Sequence, residues 1–123
     1  MEWTLVIKGK LPGLNEYTAA NRSNPYVGAK MKRDAQNLVC AAIRSQLRAL
    51  KISKPVWLHY KFFGINKRRD HDNVESFAHK VIQDALVECG VLKDDGWAEI
   101  QGDNNEFEVD KKWPRIEVTI TEV

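Results

Sequence analysis

The sequence predicts an α/β fold of the α+β type: one domain, a mixed β-sheet and two helices packed on one face of it. Three observations carry this. Two stretches with helical spacing of apolar residues, about 28–50 and 73–89, alternate with β-branched and aromatic runs at 3–7, 56–63 and 114–120. Helices interleaved with strands pack as a layer on a sheet. The length of 123 residues, 43% of them hydrophobic, suffices for one core and not for two.

The elements follow in order. Trp3-Thr4-Leu5-Val6-Ile7 reads as a strand, stopped by Gly9 and by a turn at Pro12-Gly13. Residues 14–28, LNEYTAANRSNPYVG, are polar and rich in Asn, and are expected to form a long irregular loop, the kind that tends to be functional. From Gly28 to Leu50 the residues Met31, Ala35, Leu38, Ala42, Leu47 and Leu50 keep helical spacing. The opposite face carries Lys30, Lys32, Arg33, Arg44 and Arg48, a solvated stripe that can also follow phosphates. After Pro55, Val56 to Phe63 forms an aromatic strand ended by Gly64, and Asn66-Lys67-Arg68-Arg69 a basic loop. The second helix buries Val74, Phe77, Ala78, Val81, Ile82, Ala85 and Leu86. Asp72 suits its N-cap, with Glu75 three residues on as in a capping box, and Gly90 stops it. Asp94-Asp95-Gly96 is a turn, Trp97–Gln101 and Glu106–Val109 are short strand candidates, and Pro114–Ile120 alternates as a strand. Repeats and low-complexity tracts are absent.

The net charge of +2 conceals an asymmetry. Residues 1–69 hold 14 Lys and Arg against 3 Asp and Glu, a net of +11, whereas residues 70–123 hold 5 against 14, a net of −9. Such contrast points to a nucleic-acid surface, or to two halves that neutralise each other within a fold or dimer. Cys40 and Cys89 lack any CxxC spacing and read as small buried hydrophobes of a reducing compartment. With no signal-like leader and no span of membrane length, the chain is expected to be soluble and cytoplasmic.

The chemistry gathers around Asp70, Asp72 and Asp95. Carboxylates beside Lys67-Arg68-Arg69 suit a site that holds a divalent cation and a polyanion together, and Mg²⁺ binds through one or two carboxylates while keeping waters for a phosphate to displace. Phosphodiester hydrolysis uses such a pairing. Asp70 and Asp72 share a face if the chain is extended there. Lys80, seven residues past Asn73, lies two helical turns and about 10 Å along, able to approach a phosphate or to pair with Asp84. Each group also has a structural explanation: Asp72 as a cap, Asp94-Asp95-Gly96 as turn chemistry, Asp70 as a partner of Arg68 or Arg69. A zinc site from His71, Glu75 and His79 is the weaker rival, lacking both the HExxH arrangement and a cysteine.

These residues resemble the RusA family of Holliday junction resolvases. The likeness runs from Leu11-Pro12-Gly13-Leu14-Asn15-Glu16-Tyr17, similar to the family's N-terminal turn, through Arg68-Arg69-Asp70-His71-Asp72-Asn73, similar to its basic run and D-x-D-N. It continues with Lys80 and Asp84-Ala85-Leu86, with Asp94-Asp95, and with Asp110-Lys111-Lys112 before the last strand. Between Asn73 and Lys80 the chain has about one helical turn more than the best-known members. The resemblance implies a homodimeric, Mg²⁺-dependent endonuclease of branched DNA. In that reading Asp70, Asp72 and Asp95 hold the metal, Lys80 assists at the scissile phosphate, and Lys67, Arg68 and Arg69 contact DNA. Two alternatives remain at this point: a DNA-binding module of the same fold without cleavage, and an unrelated metal-dependent protein acting on a nucleotide or RNA.

Overall fold

Alternation of side chains sets the sheet. In the computed structural model, which describes residues 1–123, four strands form: β1 (Glu2–Lys8), β2 (Val56–Gly64), β3 (Ile100–Val109) and β4 (Arg115–Glu122). Leu5 and Ile7, then Leu58, Tyr60 and Phe62, then Ile116, Val118 and Ile120 turn to one face and are buried there. Trp57, His59, Lys61 and Phe63 turn to the other face, which no helix covers. The strand order is β1-β4-β2-β3, with β4 antiparallel to both neighbours and β2 parallel to β3. The expected class, a single domain with a mixed sheet and helices on one face, is the one observed.

Three helices rather than two cover that face: α1 (Leu14–Ser23), α2 (Pro25–Gln46) and α3 (His71–Glu88). The expected loop over 14–28 is therefore corrected. Gly13 is the N-cap of α1, and Glu16 at the third helical position accepts a 3.2 Å hydrogen bond from the Gly13 N–H. Tyr17 and Ala20 face inward, the Tyr17 ring packing tilted against Phe77 at 4.9 Å, so three polar asparagines are simply the outer face and the ends. Asn24 ends α1 and caps α2, its side chain accepting from Tyr26 N–H at 2.9 Å, while Pro25 takes the first helical position. Gly28 presses on Asn21 where the two helices meet, leaving no room for a Cβ.

The two short strand candidates after residue 96 are one ten-residue strand, β3. Trp97 to Glu99 instead form a turn, with Glu99 and Ile100 N–H both donating to Gly96 O. Asp103-Asn104-Asn105 has poor strand propensity, but pairing with β2 and the bond from Trp57 Nε1 to Asn104 Oδ1 (2.7 Å) hold it extended. One cluster of 25 buried residues forms the core, and no polar or charged residue is fully buried. Cys40 belongs to it; burial and a hydrogen bond to Glu88 push its thiol far above its ordinary pKa, so it stays protonated and inert. No helix is long and apolar enough to cross a membrane.

Candidate functional site

Because α3 carries the crossover between parallel strands β2 and β3, the carboxyl ends of both strands and the amino end of α3 lie on one side of the molecule. That is where open α/β sheets bind ligands. Past Gly64, Asn66 Oδ1 accepts from Arg68 N–H at 2.9 Å and folds the basic loop into a turn. The turn, the segment Gly9–Leu11, Phe62, Phe107 and His71 enclose a cavity of about 700 Å³.

The amino end of α1 closes on the same place. Asn73 Oδ1 accepts from Asn15 N–H at 2.7 Å, so the asparagine of D-x-D-N caps a different helix. Gly13 sits so close to Asn73 and Arg69 that a Cβ would collide with both. Arg69 Nη1 donates to Leu11 O at 3.5 Å, and Nη2 lies 3.5 Å from Glu16 Oε1 without hydrogen-bond geometry, buried and unpartnered. Two helix amino termini, each the positive end of a dipole, thus converge beside Asp70 and Asp72.

Asp70 is the N-cap of α3 by backbone position, not Asp72, and neither side chain makes a capping bond. The expected capping box with Glu75 is corrected accordingly. Asp70 is extended, but His71 and Asp72 are already helical. Strand alternation therefore does not align the two carboxylates; the first turn of α3 is what places both at one end of the molecule. Both are exposed and free of ion pairs, so the structural roles available to them are not taken.

Asp95 stands elsewhere. It follows α3, whose 18 residues span about 27 Å, and precedes the start of β3, beside the start of β2. The nine residues of β2 give a similar span, about 30 Å, between that end of the sheet and the Asp70 end. Within one chain, no three His, Cys, Asp or Glu side chains gather closely enough to hold a metal ion. Asp94 Oδ1 accepts from the Asp95 N–H at 2.8 Å, which makes Asp94 the turn residue and leaves the Asp95 carboxylate free. Two residues on, Trp97 is 95% exposed.

Lys80 lies midway along α3, its ammonium 3.3 Å from Asp84, which also takes Lys32 at 3.0 Å. His71 and His79 are occupied separately: His71 stacks on Phe107 (3.6 Å between centroids, 1° between planes), and His79 stacks on Tyr60 and bonds Asn105. The cations around the cavity divide in two. Arg115, 12% exposed, is held by Asp110 at 2.9 Å and Glu117 at 2.8 Å between the rings of Phe63 and Trp113. This arginine holds the Asp110 carboxyl below its ordinary pKa. Lys10, Lys67 and Arg68 have no acidic partner.

Part of the charge contrast between the halves is internal, since Lys32, Arg44, Lys54 and Lys61 pair with Asp84, Glu88, Glu122 and Glu108. None of those pairs uses Asp70, Asp72 or Asp95. Sequence reasoning missed Lys10, the role of Asn73 and the stack of His71 on Phe107; only Asn73 carried a signal, as a polar residue fixed beside two acids. The donor set at the mouth of α3, two free carboxylates open to water, fits the oxygen ligation that Mg²⁺ takes. Compared with protein-family models and with curated proteins, the chain matches none.

Proposed function

We propose that the protein is a Mg²⁺-dependent endodeoxyribonuclease of branched DNA, resolving four-way junctions in the manner of the RusA family and acting as a homodimer in the cytoplasm. One observation carries the reading: Asp70 and Asp72, unpaired at the amino end of α3, flank His71, which lines a cavity together with three cations, Lys10, Lys67 and Arg68, that are also unpaired. Cations placed for phosphates and carboxylates that repel phosphates are reconciled by a divalent ion between them. When bound, Mg²⁺ supplies a water of lowered pKa and neutralises the charge that grows on the phosphoryl oxygens. Asp70 and Asp72 would hold it and orient it. Lys67 and Arg68 fix the phosphates on either side of the scissile bond, and the exposed Lys80 leaves Asp84 for a phosphate that reaches it.

The separation of Asp95 from Asp70 adds a constraint. If Asp95 also serves the metal, it comes from a second copy of the chain. The exposed indole of Trp97, two residues from Asp95, supports an interface there, since such residues anchor interfaces. A DNA-binding module without cleavage is the second reading, favoured by the pairing of Lys80 with Asp84. Incubating the protein with a four-way junction, a flap and a linear duplex, each with Mg²⁺, separates the two. Cleavage concentrated on the junction is expected. Tight junction binding with no cleavage at any Mg²⁺ concentration contradicts nuclease action.

A further inference from the structure

Phe62, Phe107 and His71 form a run of nearly parallel rings across the end of the sheet. Phe62 and Phe107 are register partners on β2 and β3, 5.0 Å apart with planes 14° from parallel. His71 follows at 3.6 Å and 1°. Phe62 is buried, Phe107 half-buried and His71 exposed, so the run grows outward from the core and ends on a flat ring open to water. All three rings line the 700 Å³ cavity, as do Lys10, Lys67 and Arg68, the cations without acidic partners. Arg69 also lines the cavity, but its buried Nη2 lies towards Glu16 and Gly13, which do not. A stacking platform and three free positive charges in one cavity match a planar base joined to a phosphate.

We infer that this cavity is a binding pocket for one unpaired nucleotide of a DNA strand, its base laid on the His71–Phe107 pair and its phosphate held by Lys67 and Arg68. The pocket rests on the DNA reading above and deepens it. A base can enter only where it is already unpaired or unstacks at small cost, as it does at a branch. Selection of branched over linear DNA then comes from the pocket, independently of the metal and of the Asp70 and Asp72 carboxylates.

The test compares two DNAs with identical phosphates: a duplex with a single bulged adenosine and the same duplex with an abasic residue in the bulge. Binding is measured in EDTA, so cleavage and metal play no part. Base–aromatic stacking predicts about tenfold tighter binding of the adenosine bulge. His71→Ala, at an exposed position, and Phe107→Leu, which keeps the apolar packing, should each reduce that ratio towards one, with abasic affinity and thermal melting little changed. Equal affinity of the wild-type protein for the two DNAs, or no binding to either, overturns the inference. So does a wild-type ratio that survives both substitutions. Free dAMP is the third arm: if it binds as tightly as the bulged DNA, the pocket takes a free nucleotide and the assignment to a strand is wrong. A protein that cuts junctions with Mg²⁺ but shows no base preference here refutes the pocket and leaves the nuclease reading intact; base preference without cleavage does the reverse.

Discussion

Asp94 and Asp95 are adjacent carboxylates with different work. Asp94 accepts the Asp95 N–H and shapes the turn; the Asp95 carboxylate makes no bond and is exposed, two residues from Trp97. If Asp95 serves the metal, Asp95→Asn should lower junction cleavage by at least about 100-fold, the order of loss when an electrostatic stabiliser is removed. Asp94→Asn should cost about tenfold or less, as a change one shell further out does. Steady-state cleavage with thermal melting as a folding control reads the difference, and the reverse order would assign the site to Asp94. A second residue-level outcome concerns Asp110. Arg115 depresses its folded-state pKa, so the pair stabilises the fold fully above the ordinary carboxylate range. That contribution is lost as pH falls through the ordinary value towards the lower folded one. Urea midpoints measured from pH 5 to pH 2 should therefore fall less steeply for Asp110→Asn than for the wild-type protein, and parallel curves would show that the pair does not titrate with folding.

At the scale of elements, the contact between the amino ends of α1 and α3 organises the site. Asn73→Ala removes the acceptor for the Asn15 N–H and should cost about 1 kcal/mol of stability, as lost caps do. Gly13→Ala should cost more, because its Cβ meets both Asn73 and Arg69. Denaturant unfolding of both variants checks the order, and a neutral Gly13→Ala would mean that the Asn73 and Arg69 side chains turn aside at little cost. Here too lies the largest difference from expectation. Gly13 with Glu16 three residues on, and Asn24 followed by Pro25, are helix-start signals, but the Asn and Ser residues around them outweigh these by composition. β3 was legible only at its ends, since Asp103-Asn104-Asn105 is held extended by β2, a partner that local sequence does not identify. The strands β1, β2 and β4 and the bodies of α2 and α3 were legible because their apolar spacing records which face is buried. Within the site, Lys67 to Asp72 is contiguous and could be read directly. The stack of His71 on Phe107 and the distance from Asp70 to Asp95 arise from the crossover, and no short-range pattern encodes them.

For the whole molecule, the proposed function depends on charge and on assembly. Ion pairs such as Lys32–Asp84 and Lys61–Glu108 absorb part of the contrast between the halves, and being partly exposed they contribute little to stability. What they leave free around the cavity is Lys10, Lys67 and Arg68. Arg68→Ala should therefore flatten the salt dependence of junction binding by about one counterion per contact. Arg69, tied to Leu11 and set against Glu16, should respond partly through stability instead. Affinities from 50 mM to 300 mM salt test this, and an unchanged slope for Arg68→Ala removes it from the DNA contact.

The central claim is a metal site assembled from Asp70 and Asp72 of one copy and Asp95 of another, and a mixing experiment reaches it most directly. Asp70→Asn and Asp95→Asn proteins are each assayed for junction nicking with Mg²⁺, then unfolded together, refolded as an equal mixture and assayed again. Each alone should be inactive. In the mixture half the dimers are hybrids, and each hybrid holds one site with every carboxylate intact, so nicking should return to about a quarter of the wild-type level. A mixture as inactive as its components, with hybrid dimers demonstrated by mass spectrometry, would contradict the shared site.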